Sequence, residues 1–480
     1  MIRGDFQEGP PPALVLSGEG RGPDAVSLEG RRARVTGTVS GDGATGWTAT
    51  LPLTAARWGG PPRALPSGDY RLTLTGDGGG AAPASVPVTD LGILRAGLEG
   101  ARVHIGPPVD PAEAAEAERA YAGGREPLTD AVFFESFYGR NASCNPLALD
   151  REIARVAPGV TRYWSVVDLS VVVPEGAVPV VEGSPQWWHA RAVSRLLIVN
   201  DWLRRSFVRR PGQHVLQTWH GTPLKRLALH RPGFDPRRAA AVIKERSRWD
   251  VLLAQNPYSV RTLARAYAFG RKPVWVEGYP RNDVLVSGDE AAVRAARAAL
   301  GVGPDERVLL YAPTWRDDRE EIVDFLDPER LAADTGAVVL VRGHSRTLQP
   351  GRDAAGERVV DVTTFPDLTQ LLLAADALIT DYSSVMFDFS ATGKPMFFFV
   401  PDLDHYRGRL RGFYFDLAER APGPVVATQQ DLTEALLAAA DDRFAEAYEA
   451  WRARFNARDD GRASERVVAR LFDQGFLVAD

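Results

Sequence analysis

From residue 131 to residue 428 short apolar runs alternate with amphipathic stretches, and this alternation constrains the fold more than any other feature of the chain. AVFFESFYG (131–139), RYWSVVDLS (162–170), HVLQTW (214–219), VLLAQN (251–256) and KPVWVEGYP (272–280) read as strands. Between them PLALDREIARVAPG (146–159), DPRRAAAVIKERSRW (235–249) and SVRTLARAYAF (259–269) read as helices, and WWHARAVSRLLIVNDWL (187–203) as a helix followed by a strand. A second series opens with DVLVSGDEAAVRAARAALG (283–301), read as one helix ending at Gly301. Its strands are RVLLYAPTW (307–315), AVVLVRGHS (337–345), RVVDVTT (358–364), ALITDYS (377–383), PMFFFVP (395–401) and PVVAT (424–428). Several of these are apolar throughout, as strands buried on both faces must be. Strands that take turns with helices predict parallel, helix-flanked sheets, so the body is expected to be two doubly wound α/β domains in tandem. Two helical stretches, 431–455 and 463–475, close the chain.

The first hundred residues differ. ARVTGTVS (33–40), GWTATLPLT (46–54) and DYRLTLTG (69–76) alternate apolar with polar residues and are punctuated by Gly, Pro and Asp, which predicts a small all-β, sandwich-like accessory domain. The expected partition is therefore 1–106 all-β, 107–125 linker or short surface helix, 126–280 and 281–455 the two Rossmann-like domains. Composition matters mainly for what it excludes. The single cysteine, Cys144, rules out a disulfide framework and a Cys-based zinc cluster and suits a reducing compartment. The N-terminus lacks the long apolar core of a cleaved leader, and no run of about 18 apolar residues occurs, so no span is expected. A net charge of −5 speaks against the molecule as a whole being a polyanion binder. Locally the balance reverses: residues 201–250 hold twelve Lys/Arg against four Asp/Glu. That basic face suits a phosphate-rich acceptor or anionic headgroups, and no nucleic-acid module accompanies it.

Ligands of doubly wound sheets bind outside the carboxyl ends of the strands. Polar residues stand at four such ends: His220 after 214–219, Arg316 after 307–315, His344 in RGHS (342–345), and Asp381, Ser383 and Ser384 after ALIT. Any one is compatible with an ordinary strand end, and together they suggest a site shared by two domains. Gly221 admits close approach to the backbone, Thr222 and Pro223 begin a turn, and Lys225 and Arg226 add positive charge. A neutral imidazole at His220 could take a proton from a hydroxyl acceptor. His344 with Arg342 and Ser345 fits a clamp on a diphosphate. Ser383 or Ser384 can cap the following helix, whose N-terminus suits a phosphate oxygen. The sequence holds no Walker A motif, no convincing GxGxxG after a strand and no HExxH.

The words LQTWHGTPLKRLA (216–228), ESFYGRNASCNP (135–146), EGYPRND (277–283), LYAPTWRDD (310–318), LVRGHS (340–345) and LITDYSSVMFDF (378–389) stand in an order that resembles the CDP-glycerol:poly(glycerophosphate) glycerophosphotransferase family of teichoic acid polymerases and primases. The resemblance runs from about 130 to 455 and leaves the β region outside it. It implies a GT-B fold, the second domain holding the nucleotide and residues 456–480 packing back on the first, and transfer of glycerol phosphate from CDP-glycerol to a hydroxyl of a lipid-linked acceptor with release of CMP. It implies His220 as base and His344 as a diphosphate contact. Asp381, Ser383, Ser384 and Asp388 then lie near the nucleotide, and Lys225, Arg316 and Arg281 near phosphate. It also implies a cytoplasmic chain held peripherally at the inner membrane face. No cofactor and no metal set is indicated, and oligomeric state is left open. Rival readings are a CDP-ribitol ribitolphosphotransferase, a nucleotide-sugar transferase of the same fold, and a non-catalytic glycopolymer-binding scaffold.

Overall fold

The computed structural model describes residues 2–41, 46–76, 82–124, 126–314, 325–343, 355–356, 358–403, 412–438 and 442–478. At the N-terminus lie two antiparallel sheets. One has four strands in the order Arg3–Gln7, Ala13–Gly18, Trp47–Pro52, Thr38–Gly41. The other has six, Val86–Asp90, Arg95–Glu99, Arg102–Gly106, Gly68–Thr75, Ala25–Glu29, Arg34–Thr36. Leu14, Leu16 and Leu51 of the first and Leu28, Leu72 and Ile105 of the second belong to one apolar core. The stretch 33–40, expected as a single strand, is divided between the two sheets at Gly37. A Cβ there would lie 2.5 Å from Val26 and 2.7 Å from the Thr50 carbonyl, so only glycine lets the chain turn this corner.

The body is built on two seven-stranded sheets. In the first the order is Val178–Val181, Thr161–Val166, Thr129–Glu135, Ser194–Val199, His214–Gln217, Val251–Ala254, Val274–Val276, and every pairing is parallel. In the second it is Ala355–Gly356, Val359–Asp361, Val338–Val341, Val308–Ala312, Ala377–Thr380, Met396–Phe399, Val425–Val426, parallel except for the first, edge strand. Setting that edge strand aside, both sheets wind outward in two directions from a first strand, so each has a topological switch point. Period-two alternation buries both faces. Val132 and Phe134 face one core with helix Cys144–Val156, while Phe133 faces another with helix Pro185–Val193. In the second sheet Leu310 and Phe398 share a core with Phe387 and Trp451, whereas Leu309 and Phe397 pack on Leu331 and Leu432.

Three local stretches depart from expectation. Strand Val178–Val181 has no counterpart in the sequence reading, because a four-residue edge strand carrying Pro179 leaves little periodic signal. The stretch 283–301 is two helices, Asp283–Val286 and Glu290–Ala299, separated where Gly288 adopts φ +63°. The stretch 431–455 is likewise two, Gln429–Leu437 and Ala445–Phe455. Residues 107–125 take the second of their two expected forms, a short helix. Helix Pro111–Gly123 is capped by Asp110, and its buried Tyr121 meets Trp188 of helix Pro185–Val193 in a tilted ring contact, centroids 4.7 Å apart.

The chain crosses between the two sheet units twice, near 277–283 and again near 455–463. On the second crossing, helix Ala463–Asp473 lands on the first unit, where Val467, Val468 and Leu471 join its core. The Asp283 carboxylate accepts from the Ala463 and Ser464 backbone N–H groups, both at 2.8 Å, and so caps that helix. Between the crossings Asp459 accepts from Gln255 (2.7 Å), Asn456 (2.9 Å), Asn282 (3.3 Å) and the Tyr279 N–H (3.0 Å). Burial nonetheless pushes its carboxyl up to about 6, against the pull of those donors. A raised folded-state value means the folded form holds the proton more tightly than the unfolded chain. The stabilisation is complete near pH 4 and lost as pH rises through about 6. Between pH 4 and pH 7 the wild type is expected to lose roughly 3 kcal/mol relative to Asp459→Asn, which cannot titrate. Denaturant titrations of the two proteins across that range measure it, and parallel pH dependences would refute it.

Candidate active site

The two switch points supply the side chains that meet between the sheets. At the first, strand Thr129–Glu135 continues into Ser136–Tyr138 and strand Ser194–Val199 into Asn200, whose side-chain oxygen accepts from the Phe137 N–H at 2.9 Å. His220 follows the neighbouring strand His214–Gln217 and is half-buried. Its Nδ1 lies 2.6 Å from the Asn200 carbonyl oxygen. A carbonyl only accepts, so Nδ1 carries the hydrogen and Nε2 keeps the lone pair in the neutral ring. Among the described residues no hydrogen bond engages Nε2. The Trp219 ring stacks on the imidazole at 4.7 Å and Phe137 meets it edge-on at 5.6 Å, which fixes its plane. Phe137, Tyr138, Cys144 and Trp219 all adopt positive φ, between 46° and 66°. Bulky residues in that region are strained, and four at the carboxyl edge of one sheet mark a place where geometry is imposed.

At the second switch point Asp381 follows strand Ala377–Thr380 and is buried. Its Oδ1 accepts from the Thr314 N–H at 2.8 Å, tying together the ends of the two strands that flank the switch. Ser383 and Ser384 follow, both half-buried. The helix after them is only Val385–Phe389, and Ser384, at the cap position, has αR backbone and forms no side-chain cap bond. The capping expected of these serines is therefore not made, because the cap geometry needs extended backbone at that residue. The Ser384 hydroxyl instead lies against Gly221: a Cβ at 221 would come within 2.7 Å of Ser384 Oγ. The first unit's His220 turn thus touches the second unit's serine turn.

Arg281 braces this contact. It is 8% exposed, and its Nε and Nη2 donate to Asp388 Oδ1 and Oδ2 at 3.1 and 2.7 Å. Nη2 also donates to the His220 carbonyl at 3.1 Å, and Nη1 lies 2.9 Å from Cys144 Sγ. Burial alone would lower the Arg281 pKa, but the Asp388 carboxylate more than reverses this and raises it, so the guanidinium stays charged. A guanidinium so committed supports the backbone of His220. Lys225 also crosses to the second unit, with Nζ 3.2 Å from Thr314 Oγ1 and a backbone bridge to Phe413. Thr222 occupies a different place from the one expected of a substrate contact. Fully buried, it bonds Gln255, Asn256 and Ser259, so its hydroxyl holds the turn. His344 and Arg316 lie outside the described residues. Next to the former, Arg342 donates to the Phe365 carbonyl at 3.2 Å, and burial pushes it down to about 10. Asn200, Phe137 and Thr314 join the expected residues at the site. The strand-end position that makes His220 a candidate is shared by Asn200 and Thr314. Phe137 has no such signal, since its role rests on a positive φ.

A ring nitrogen with an open lone pair at the carboxyl edge of one parallel sheet, in a turn that touches the serine turn of a second, suits a group transferase acting between two bound substrates. Residues 125–473 match the family described as CDP-glycerol:poly(glycerophosphate) glycerophosphotransferase, and the chain belongs to that family of transferases. It is 37% identical over 361 residues to a teichoic acid poly(glycerol phosphate) polymerase of Bacillus subtilis, covering 71% of this chain and 48% of that protein. It is 34% identical to a teichoic acid glycerol-phosphate transferase of Staphylococcus aureus, covering 72% of this chain and 94% of that one. The chain thus spans about half the length of the first relative and nearly all of the second. A structure of the wall teichoic acid polymerase TagF, in a histidine-to-asparagine variant soaked with CDPG, superposes with a TM-score of 0.69 at 30% identity, covering 75% of this chain and 93% of that one. Ribitol-phosphate enzymes are more distant, with a Bacillus spizizenii primase 26% identical over 60% of this chain.

Proposed function

We propose that this chain transfers glycerol phosphate from CDP-glycerol to a hydroxyl of a polyol-phosphate acceptor and releases CMP. The observation that carries the reading is the fixed imidazole: the Asn200 carbonyl commits Nδ1, leaving Nε2 of His220 as proton acceptor in the cleft. In the step, Nε2 takes the acceptor hydroxyl proton as that oxygen attacks the phosphorus bearing glycerol. The bond from that phosphorus to the bridging oxygen breaks, and its electron pair leaves with CMP. Asp381, Ser383 and Ser384 belong to the donor side, and Lys225, beside Thr314, supplies positive charge where the diphosphate charge must be balanced. Arg281, Asp388, Gly221 and Thr222 position rather than contact substrate. His344 and Arg316 stay candidate phosphate contacts on motif alone.

The two parallel sheets are read as the two halves of a GT-B fold, 126–280 and 281–455, with 456–480 returning to the first half. Residues 1–106 are read as an accessory β-sandwich and 107–125 as its connection. A lipid-linked acceptor at the inner membrane face is supported by the surface around Phe234, which is 91% exposed. Arg231, Arg237 and Lys244 surround it in the sequence and are exposed, as is Ile243. Among the described residues no helix is long and apolar enough to cross a membrane.

The test is CMP release from CDP-glycerol by the purified chain, with and without a lipid-linked glycerol-phosphate acceptor. Acceptor-dependent CMP is expected. Release from CDP-ribitol or a nucleotide sugar but not from CDP-glycerol would overturn the donor, and binding without turnover of any donor would favour a scaffold.

A further inference from the structure

The N-terminal β region lies outside the residues that match the family, and it touches both parallel-sheet units. Its contact with the first is polar. Asp168, 2% exposed, follows strand Thr161–Val166 and accepts from the Ser67 N–H at 2.8 Å, with the Arg32 guanidinium 3.5 Å away. Arg32 in turn donates to the Ser67 carbonyl at 3.1 Å, so the three residues close a ring. Leu169 packs on the β core beside them. Its contact with the second unit is aromatic. Trp58 meets Phe365 edge-to-face at 5.1 Å and packs on the core of the second sheet.

Both anchor points follow the carboxyl ends of strands, Thr161–Val166 in one sheet and Val359–Asp361 in the other. They therefore lie on the same edges as His220 and the serine turn, but on the opposite side of each switch point, where the second and third strands of each winding end. The loop that carries Trp58 is strained toward this contact. Trp58 has φ 51° and Gly59 φ 72°, closed by the Gly60 N–H donating to the Arg57 carbonyl at 2.9 Å. A tryptophan held in the left-handed region persists only where its surroundings over-determine it.

The geometry points to the N-terminal β region as a clasp that joins the two units across one end of the cleft, with Trp58 a positioning residue for the transfer. This rests on the transferase reading for its kinetic consequence and on the contacts alone for its structural one. A donor held by one unit and an acceptor by the other react only when the units stand at one separation. A body fastened to both raises the population of that separation. Releasing one fastening lowers the reactive fraction, and kcat falls in proportion, while the donor's affinity for its own unit is unchanged.

The full chain is labelled at two introduced cysteines on exposed helix positions, Arg155→Cys in the first unit and Arg330→Cys in the second. The native Cys144 is buried. Dipolar distance measurement then compares wild type, Trp58→Ala, Trp58→Phe and, for the other anchor, Asp168→Asn, alongside KM and kcat for CDP-glycerol. Trp58→Ala and Asp168→Asn are expected to broaden the distance distribution and to lower kcat about 3–30-fold with KM for CDP-glycerol within about twofold, as for a loss of reactive population with donor binding intact. Trp58→Phe restores most of both, because a ring still meets Phe365. A distribution unchanged in both releasing variants, or a broadened one with wild-type KM and kcat, overturns the clasp. If wild type turns over no CDP-glycerol, the transferase reading fails and the distance distribution alone decides the clasp.

Discussion

Replacing His220 with alanine is expected to lower acceptor-dependent CMP release by about 10²–10⁴-fold while the protein stays folded and still binds donor. The size follows from the loss of a positioned proton acceptor. Nδ1 is committed to the Asn200 carbonyl and the ring is held between Trp219 and Phe137, so no other side chain among the described residues is placed to substitute. Stability should change little, because the ring is half-buried and leaves no charged partner behind. Turnover with saturating acceptor, CDP-glycerol affinity by calorimetry and the thermal midpoint together make the check. Wild-type turnover in His220→Ala would remove the residue from the mechanism. A collapse of the thermal midpoint would show that the ring is structural.

The second large effect concerns stability. Asp388→Ala leaves the Arg281 guanidinium buried without its carboxylate, and breaking a buried pair on one side costs roughly 3–5 kcal/mol. Activity falls with it, because the same guanidinium supports the His220 carbonyl. The double variant Arg281→Met/Asp388→Leu removes both charges. It is expected to regain most of the stability, since an apolar pair of similar volume no longer buries an unpaired charge, but not the activity. Denaturant unfolding of the three proteins measures the first effect and CMP release the second. A loss under about 1 kcal/mol in Asp388→Ala would mean that the pair is open to water, and recovered turnover in the double variant would mean that it does not position His220.

The fold of the body was legible because strands buried on both faces must be apolar throughout. VVLV (338–341) and MFFF (396–399) admit hardly any other reading. Where local signal is weak the sequence misleads. VPVV (178–181) is an edge strand with a proline, and 33–40 looks like one strand although Gly37 sends its halves to different sheets. At the site, strand-tip polarity singles out His220 and Asp381, and both do follow strand ends. It could not show that Thr222 turns inward to Gln255, or that Ser384 lies against Gly221 without capping its helix, because those facts belong to contacts between distant segments. Asp388 reads as a carboxylate on a helix face until Arg281, 107 residues away, closes on it.

Helix Ala463–Asp473 completes a face of the first sheet that begins at Thr129, and about 300 residues separate it from helix Cys144–Val156, beside which it packs. At about 5–20 residues per second, that separation is some 15–60 seconds of synthesis. During that time Leu147 and Ile153 lack their final covering of Val467, Val468 and Leu471. The first unit leaves the ribosome unfinished, and its apolar flank is sealed only after the second unit has been made.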